Sequence, residues 1–111
     1  MPYTAKHRFA RIAPKKARLV ARLVQGMSVP EALSVLRYSP RRAAPMISKV
    51  IESAVANAGY EVEGDELFVQ ECVVNDGPRM KRWRPVMRGM AHPILKRSCH
   101  ISVALERIEE Q

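Results

Sequence analysis

Between Gly77 and His100 the chain carries many positively charged side chains and no Asp or Glu. Arg and Lys neutralise phosphate groups, and the planar Arg guanidinium can bond two phosphate oxygens at once. Trp83, in the same stretch, can stack on a base or on an Arg side chain. A solvated loop of this length would more often contain acids, Ser and Gly, so the composition predicts contact with a nucleic-acid backbone. The cations are Arg79, Lys81, Arg82, Arg84, Arg88, Lys96 and Arg97.

A second group of cations occupies the first 30 residues, where no Asp or Glu occurs. Lys and Arg on a helix surface are common, but the absence of acids favours RNA contact here too. Arg41 and Arg42 stand where a helix should begin, and the helix dipole disfavours positive charge at that end. This mismatch favours an anionic ligand. The N-terminal cations are Lys6, Arg8, Arg11, Lys15, Lys16, Arg18 and Arg22.

The acidic side chains are concentrated in residues 50–78, which contain no Lys or Arg. We therefore expect one basic face, with the acidic loop at residues 61–66 in solvent and away from any phosphate. The net charge of +8 and the pI of about 10.1 indicate a polyanionic partner, nucleic acid first and an acidic membrane surface second. No apolar run approaches the ~18 residues of a membrane span, and we expect a cytoplasmic protein with no membrane partner.

The spacing of the other reactive side chains predicts no active site, no metal and no cofactor. Cys72 and Cys99 lack a C-x-x-C pattern and should be free thiols in a reducing cytosol, not cross-strand neighbours. His92, Cys99 and His100 match no zinc-ligand spacing, so RNA contact or plain surface is the better reading of each histidine. The acids of residues 61–66 lack the spacing of a calcium loop. The sequence has no nucleophile elbow and no phosphate-binding glycine loop.

Apolar periodicity predicts the elements that must position these cations. Residues 3–12 indicate an extended basic arm or edge strand. Pro14 suits the first position of a helix that Gly26 ends, with an apolar side toward the core and a cationic outer side.

Two more helices are expected after this one. Ser28 should cap the second, with Glu31 completing a capping box. The third should start at Pro40, with the preceding serine as its cap, and run to about residues 57–59. Pro45 should cause a bend or a late start in it.

Residues 67–75 and 100–108 are strand-like and should pair as an antiparallel hairpin. Residues 77–89 would advance roughly 40 Å at ~3.3 Å per residue. The other ~85 residues would form a body with a radius of gyration of only about 12 Å. Cations without counter-ions are too costly to bury. The segment at about residues 77–99 should therefore protrude as an arm from a single domain, residues 1–111.

Three segments resemble the bacterial large-subunit ribosomal protein L-twenty-two family, and the resemblance extends from about Lys6 to Leu105. They are RIAPKKARLVARLVQGMSVPEAL, SPRRAAPMISKVIESAVANA and NDGPRMKRWRPVMRGMAHPILKRSCHISVAL. The combination of PKKARL, ESAVANA, GPRMKR and KRSCHI is far more specific than a basic patch. The resemblance implies an α+β fold of three helices packed on a small antiparallel three-stranded sheet, with a long protruding β-hairpin.

The resemblance also implies partners and a location. In that family the body lies near the outer mouth of the polypeptide exit tunnel and contacts the large rRNA, and the hairpin lines the tunnel close to the macrolide-binding region. The implied partners are large-subunit rRNA, neighbouring large-subunit ribosomal proteins and the nascent polypeptide. The segment linked to macrolide resistance corresponds to Met80, Lys81 and Arg82. The tip corresponds to Arg88, Gly89 and Met90, and the rRNA contacts of the returning strand correspond to Lys96, Arg97, Ser98 and His100.

We therefore expect a structural rRNA-binding protein of the large ribosomal subunit that supports assembly in the cytoplasm. The alternative is a general nucleic-acid-binding architectural protein that inserts the arm into a groove. An enzyme is disfavoured because no catalytic set can be drawn from the residues.

Overall fold

The computed structural model of the chain describes residues 3–59, 66–78, 80–85 and 89–107. These residues form three helices and five strands, so the α+β class is confirmed. In chain order the elements are β1 (Tyr3–Ala10), α1 (Pro14–Val24), α2 (Val29–Tyr38), α3 (Ala43–Ala58), β2 (Leu67–Asp76), β3 (Met80–Pro85), β4 (Ala91–Lys96) and β5 (Cys99–Arg107).

The apolar side of α1 faces the sheet, as its periodicity predicts. Val20 and Val24 lie one turn apart and are fully buried, and the helix packs on β2 and α3. Leu19 and Leu23 lie on the outer side and are about half exposed. The helix ends before Gly26, whose φ of 84° is a left-handed conformation that favours glycine.

The prediction of a capping box at the start of α2 is wrong. Ser28 is the N-cap residue, but its side chain makes no capping hydrogen bond. The loop before α2 is held by the sheet instead, because Ser28 forms a β-bridge with Phe68. The Gly26 N–H donates to the Val69 carbonyl, and the Val69 N–H donates to the Met27 carbonyl, both at 2.8 Å. Backbone pairing with β2 thus fixes the entry to the helix without the hydroxyl.

The third helix, α3, begins at Ala43 and not at Pro40. The Ser39 Oγ accepts a hydrogen bond from the Arg41 N–H at 3.3 Å, and such a local turn competes with helical hydrogen bonding. Pro45 consequently lies in the first turn of α3, where backbone amides have no acceptor within the helix. The late start expected at this proline is confirmed.

Strand β5 is the centre of an antiparallel three-stranded sheet with the order β1-β5-β2. Alternate residues of β5 are buried, among them Ile101, Val103 and Leu105. Helix α3 packs on β1 and β5, and α1 packs on β2. The core therefore lies between the helices and one face of the sheet, as expected.

The outer edge of β2 is occupied along most of its length by α1 and the loop that follows it. In addition to the loop contacts at Val69, the Gln25 Nε2 donates to the Cys72 carbonyl at 2.9 Å. The Arg18 Nε donates to the Val74 carbonyl at 3.1 Å. The side chains of Arg18 in α1 and of Gln25 just after it thus satisfy backbone acceptors that an edge strand would otherwise present to solvent.

Strands β3 and β4 follow the β2–β5 pair as a two-stranded antiparallel sheet. Their pairing runs from Met80 opposite Lys96 to Pro85 opposite Ala91. The chain measures 68 × 25 × 20 Å along its principal axes, with a radius of gyration of 17.2 Å. A compact domain of this size has a radius of gyration of about 13 Å. Residues 86–88 lie outside the described residues, and the full length and protrusion of the arm stay a prediction.

Candidate nucleic-acid interface

The cations expected to bind RNA near the N-terminus are exposed on two elements. Lys6 and Arg8 lie on β1, and Lys15, Lys16 and Arg22 lie on α1. Lys6 borders a shallow depression on the sheet, whereas Lys15 borders a recess between α1 and the start of the arm. These five side chains therefore face solvent without converging on one point.

Arg18 is a predicted RNA contact whose side chain also bonds groups within the protein. Besides its bond to Val74, its terminal nitrogen lies 3.5 Å from a carboxylate oxygen of Asp76. Both side chains are about half exposed, so the ion pair contributes at most about 1 kcal/mol. Asp76 thus places a carboxylate among the cations of α1. The acidic loop at residues 61–66, which was expected to lie away from any phosphate, falls almost entirely outside the described residues. The cross-strand register places Asp76 beside α1 because β2 continues to this residue.

Five of the predicted contacts converge on a single cleft with a volume of about 440 Å³. Ile12, Ala13 and Ser98 also line it, and none of the described residues that line it is acidic. The cations come from the β1–α1 connection, the residue before α3, both strands of the arm and the β4–β5 connection. They are Arg11, Arg42, Arg82, Lys96 and Arg97.

A smaller recess of about 200 Å³ lies beside this cleft. Arg97 and Ser98 line both, and Lys15, Arg18 and Asp76 line the recess alone. Arg97 therefore connects the cations of α1 with those of the cleft. Arg41, the neighbour of Arg42, is exposed and lines neither.

The start of the arm is fixed by a backbone joint that sequence reasoning missed. The Gly77 N–H donates to the Ser98 carbonyl at 3.0 Å, and the Ser98 Oγ donates to the Pro78 carbonyl at 2.7 Å. A Cβ atom on Gly77 would lie only 2.7 Å from the Ser98 Oγ. Ser98 is buried and its hydroxyl is used internally, which disfavours the RNA contact that the family resemblance implied for it.

The described part of the arm presents cations and apolar side chains together. Lys81 and Arg82 are exposed on β3, and an Arg82 terminal nitrogen donates to the Lys81 carbonyl at 3.0 Å. Trp83 is 65% exposed, and Met90, the residue that follows Gly89, is 67% exposed. Arg84 and Met80 lie in β3, whereas the predicted contacts Arg79 and Arg88 lie outside the described residues.

His100 contacts Phe9 in a way that the sequence did not reveal. Phe9 lies in a bulge of β1 with a φ of 59°, a conformation that is rare for a bulky side chain. Its N–H donates to the His100 Nδ1 at 3.1 Å, and the two rings meet edge to face at 5.0 Å. Phe9 is nevertheless 60% exposed. An aromatic ring thus stands among the cations of β1, and the half-buried His100 positions it.

Comparison with known proteins identifies the family. Residues 5–106 match the family model described as Ribosomal protein L22p/L17e. The chain belongs to this family. It is 46% identical over 108 residues to the large ribosomal subunit protein uL22 of Lactobacillus delbrueckii, covering 96% of this chain and 92% of the relative. It is 50% identical over 103 residues to the uL22 proteins of Lactobacillus gasseri and Lactobacillus helveticus, covering 91% of this chain and 88% of each relative.

Membership in the L22p/L17e family makes the chain a structural ribosomal protein of cytoplasmic ribosomes and not an enzyme. Among the described residues, no group of three or more His, Cys, Asp or Glu side chains lies close enough to hold a metal ion. No helix within the described ranges is long and apolar enough to cross a membrane.

The cysteines of this L22p/L17e chain are free and buried. Cys72 lies opposite Val103 and Cys99 lies opposite Asp76, so they are not cross-strand neighbours, as predicted. Burial raises the pKa of the Cys72 thiol to about 12. Burial also raises the pKa of the Cys99 thiol, with a smaller opposing effect of Arg18 and a smaller reinforcing effect of Asp76.

Proposed function

We propose that this protein is an rRNA-binding component of the large ribosomal subunit and supports its assembly. The observation that carries the proposal is the cationic cleft, where five Lys and Arg side chains meet and no acid is found among the described lining residues. Such a site suits the RNA backbone, because each bound phosphate releases condensed counter-ions. The relatives are large ribosomal subunit proteins, which supports the choice of rRNA as the polyanion.

The arm has a second role in this proposal, as a wall of the nascent-chain exit tunnel near the macrolide-binding region. The body then lies near the tunnel exit, beside rRNA and neighbouring large-subunit proteins. Support comes from the pairing of β3 with β4 and from the exposed Trp83 and Met90, which the arm carries in addition to the exposed Lys81 and Arg82. A surface that combines cations with large apolar groups suits a packed RNA environment better than bulk water.

Salt-dependent binding tests the RNA contact. Affinity of the purified protein for large-subunit rRNA should fall by about 10³-fold or more between 50 and 200 mM salt, as for proteins that contact at least six phosphates. The Arg37→Gln variant should show the same salt dependence as the wild type, because Arg37 is an exposed cation of α2 outside the cleft. A flat salt dependence, or equal affinity for random duplex DNA, would refute the proposal.

Deleting Met80–Arg82 tests the tunnel role against a general architectural protein. The tunnel role predicts an altered response to macrolides in ribosomes whose assembly is largely intact. Deletion of the C-terminal residues Glu109–Gln111 is the control and should leave that response unchanged. Unchanged macrolide response together with lost duplex-DNA binding would favour the architectural alternative instead.

A further inference from the structure

The cationic cleft lies between two parts of the molecule. Arg11 and Arg42 belong to the body, whereas Lys96 and Arg97 come from the end of β4 and the residue after it. The cleft therefore exists only while the arm leaves the body in this direction. Its lining couples the position of the arm to the position of the first turn of α3.

The described contacts that set this direction are few. The joint between Gly77 and Ser98 fixes the start of the arm, but no described helix packs broadly against β3 or β4. Like charges across the cleft repel one another, by about 1 kcal/mol per pair at 4 Å in water. Repulsion among these cations thus opposes this direction of the arm, and an anion bound between the body and arm cations would reduce it.

We propose that the cleft is a phosphate clasp: adjacent phosphodiester groups of one RNA strand bind between the body cations and the arm cations and fix the direction of the arm. This inference rests on the proposed rRNA binding and adds a consequence to it. RNA bound at the body then aligns the arm.

Phosphate fits the lining better than other groups do. Arg guanidinium groups bind phosphate oxygens in pairs, and three of the five cations are Arg residues whose positions do not depend on the arm's tip: Arg11, Arg42 and Arg97. The rest of the lining is Ile12, Ala13 and the internally bonded Ser98. Among the described residues the lining has no Asn, Gln, Asp or Glu. Because Arg and Lys most often contact phosphate oxygens, we expect the clasp to bind mainly the backbone, which carries no sequence information.

A reporter on the arm tests the clasp through a mutation in the body. Trp83 is the only tryptophan of the chain and is exposed on β3. Inorganic tripolyphosphate, added at constant ionic strength against chloride, should raise the fluorescence anisotropy of Trp83 to a plateau. Arg42→Gln removes one body cation and should raise the half-saturating concentration roughly tenfold, by losing a charged hydrogen bond. Arg37→Gln should leave it unchanged.

A second measurement separates failure of the clasp from failure of rRNA binding. In rRNA titrations Arg42→Gln should lower the slope of log affinity against log salt by roughly one, whereas Arg37→Gln should not. Wild-type slope and wild-type Trp83 response in Arg42→Gln would overturn the clasp while rRNA binding stands. Loss of salt-dependent binding in the wild type would overturn the proposed function itself. An equal Trp83 response to oligoglutamate of the same charge would overturn phosphate as the ligand.

Discussion

Replacing Gly77 by Ala is the sharpest test of how the arm is joined to the body. The new Cβ would lie 2.7 Å from the Ser98 Oγ and 3.1 and 3.2 Å from the Ser98 carbonyl carbon and oxygen. Real Cβ atoms essentially never approach an atom as closely as the first of these. Ser98 cannot simply rotate away, because it is buried and its hydroxyl bonds the Pro78 carbonyl.

The expected loss of stability combines three contributions. Overpacking at a tight site costs about 1–3 kcal/mol. Separation of the two chains would weaken the Gly77–Ser98 hydrogen bond, worth about 1 kcal/mol. Restriction of the unfolded chain by alanine offsets about 0.4–1 kcal/mol. We therefore expect Gly77→Ala to lower the free energy of unfolding by about 1–3 kcal/mol.

Urea denaturation of a double-mutant cycle measures the steric part. Ser98→Ala alone should cost about 1 kcal/mol because the bond to the Pro78 carbonyl is lost. In the double variant the closest clashing atom is absent, so its destabilisation should be smaller than the sum of the single effects. Gly59→Ala is the control, because Gly59 has open space around its Cβ position and a φ of 83°. It should cost about 1–3 kcal/mol through backbone strain alone.

Two results would refute this reasoning. Additive effects of Gly77→Ala and Ser98→Ala would show that the clash with the Ser98 side chain is not the source of the loss. Partial rescue of Gly59→Ala by Ser98→Ala would show that the rescue is not specific to the joint.

Two further predictions concern the core. Ile51 is fully buried in α3, so Ile51→Ala should lower the free energy of unfolding by about 2–5 kcal/mol in urea denaturation. Leu19 is about half exposed, so Leu19→Ala should lower it by less than about 1 kcal/mol. Similar losses for the two variants would contradict the assigned core. The Cys72 thiol has a pKa of about 12 when folded and about 8.5 when unfolded. The raised folded pKa means that its stabilising effect is complete below pH ~8.5 and lost as pH rises toward the folded value. Between pH 8 and 10 the wild type should therefore lose more unfolding free energy than Cys72→Ala does, and parallel pH profiles would refute this.

Periodicity was sufficient to predict the elements, and local serine patterns were not sufficient to predict their caps. The apolar side chains alternate along β5, as in Ile101, Val103 and Leu105, and recur one turn apart in α1, as in Val20 and Val24. Both patterns reflect burial against one surface and can be recognised from residue spacing alone. Ser28 matches a capping box, yet pairing of its loop with β2 decides the geometry. Such pairing joins residues distant in sequence, so no local pattern can reveal it.

Composition indicates a set of candidate cations, but it does not indicate which of them lie together. An acid-free run identifies the cations of the arm, whereas the meeting of Arg11 and Arg42 with Lys96 depends on the direction in which the arm leaves the body. The internal bonds of Arg18 and the aromatic contact of Phe9 with His100 depend on strand register and on a bulge. These are tertiary features without a signal in residue spacing.

The occupied edge of β2 has a consequence for the newly made chain before it reaches a ribosome. Strand-to-strand aggregation through β2 would first have to displace the side chains of Gln25 and Arg18 and the backbone bonds at Val69. At the opposite edge, β1 carries Lys6 and Arg8, so two copies meeting there would bring like charges together. One edge of the sheet is therefore covered and the other repels a second copy, which favours a monomeric chain before it joins the ribosome.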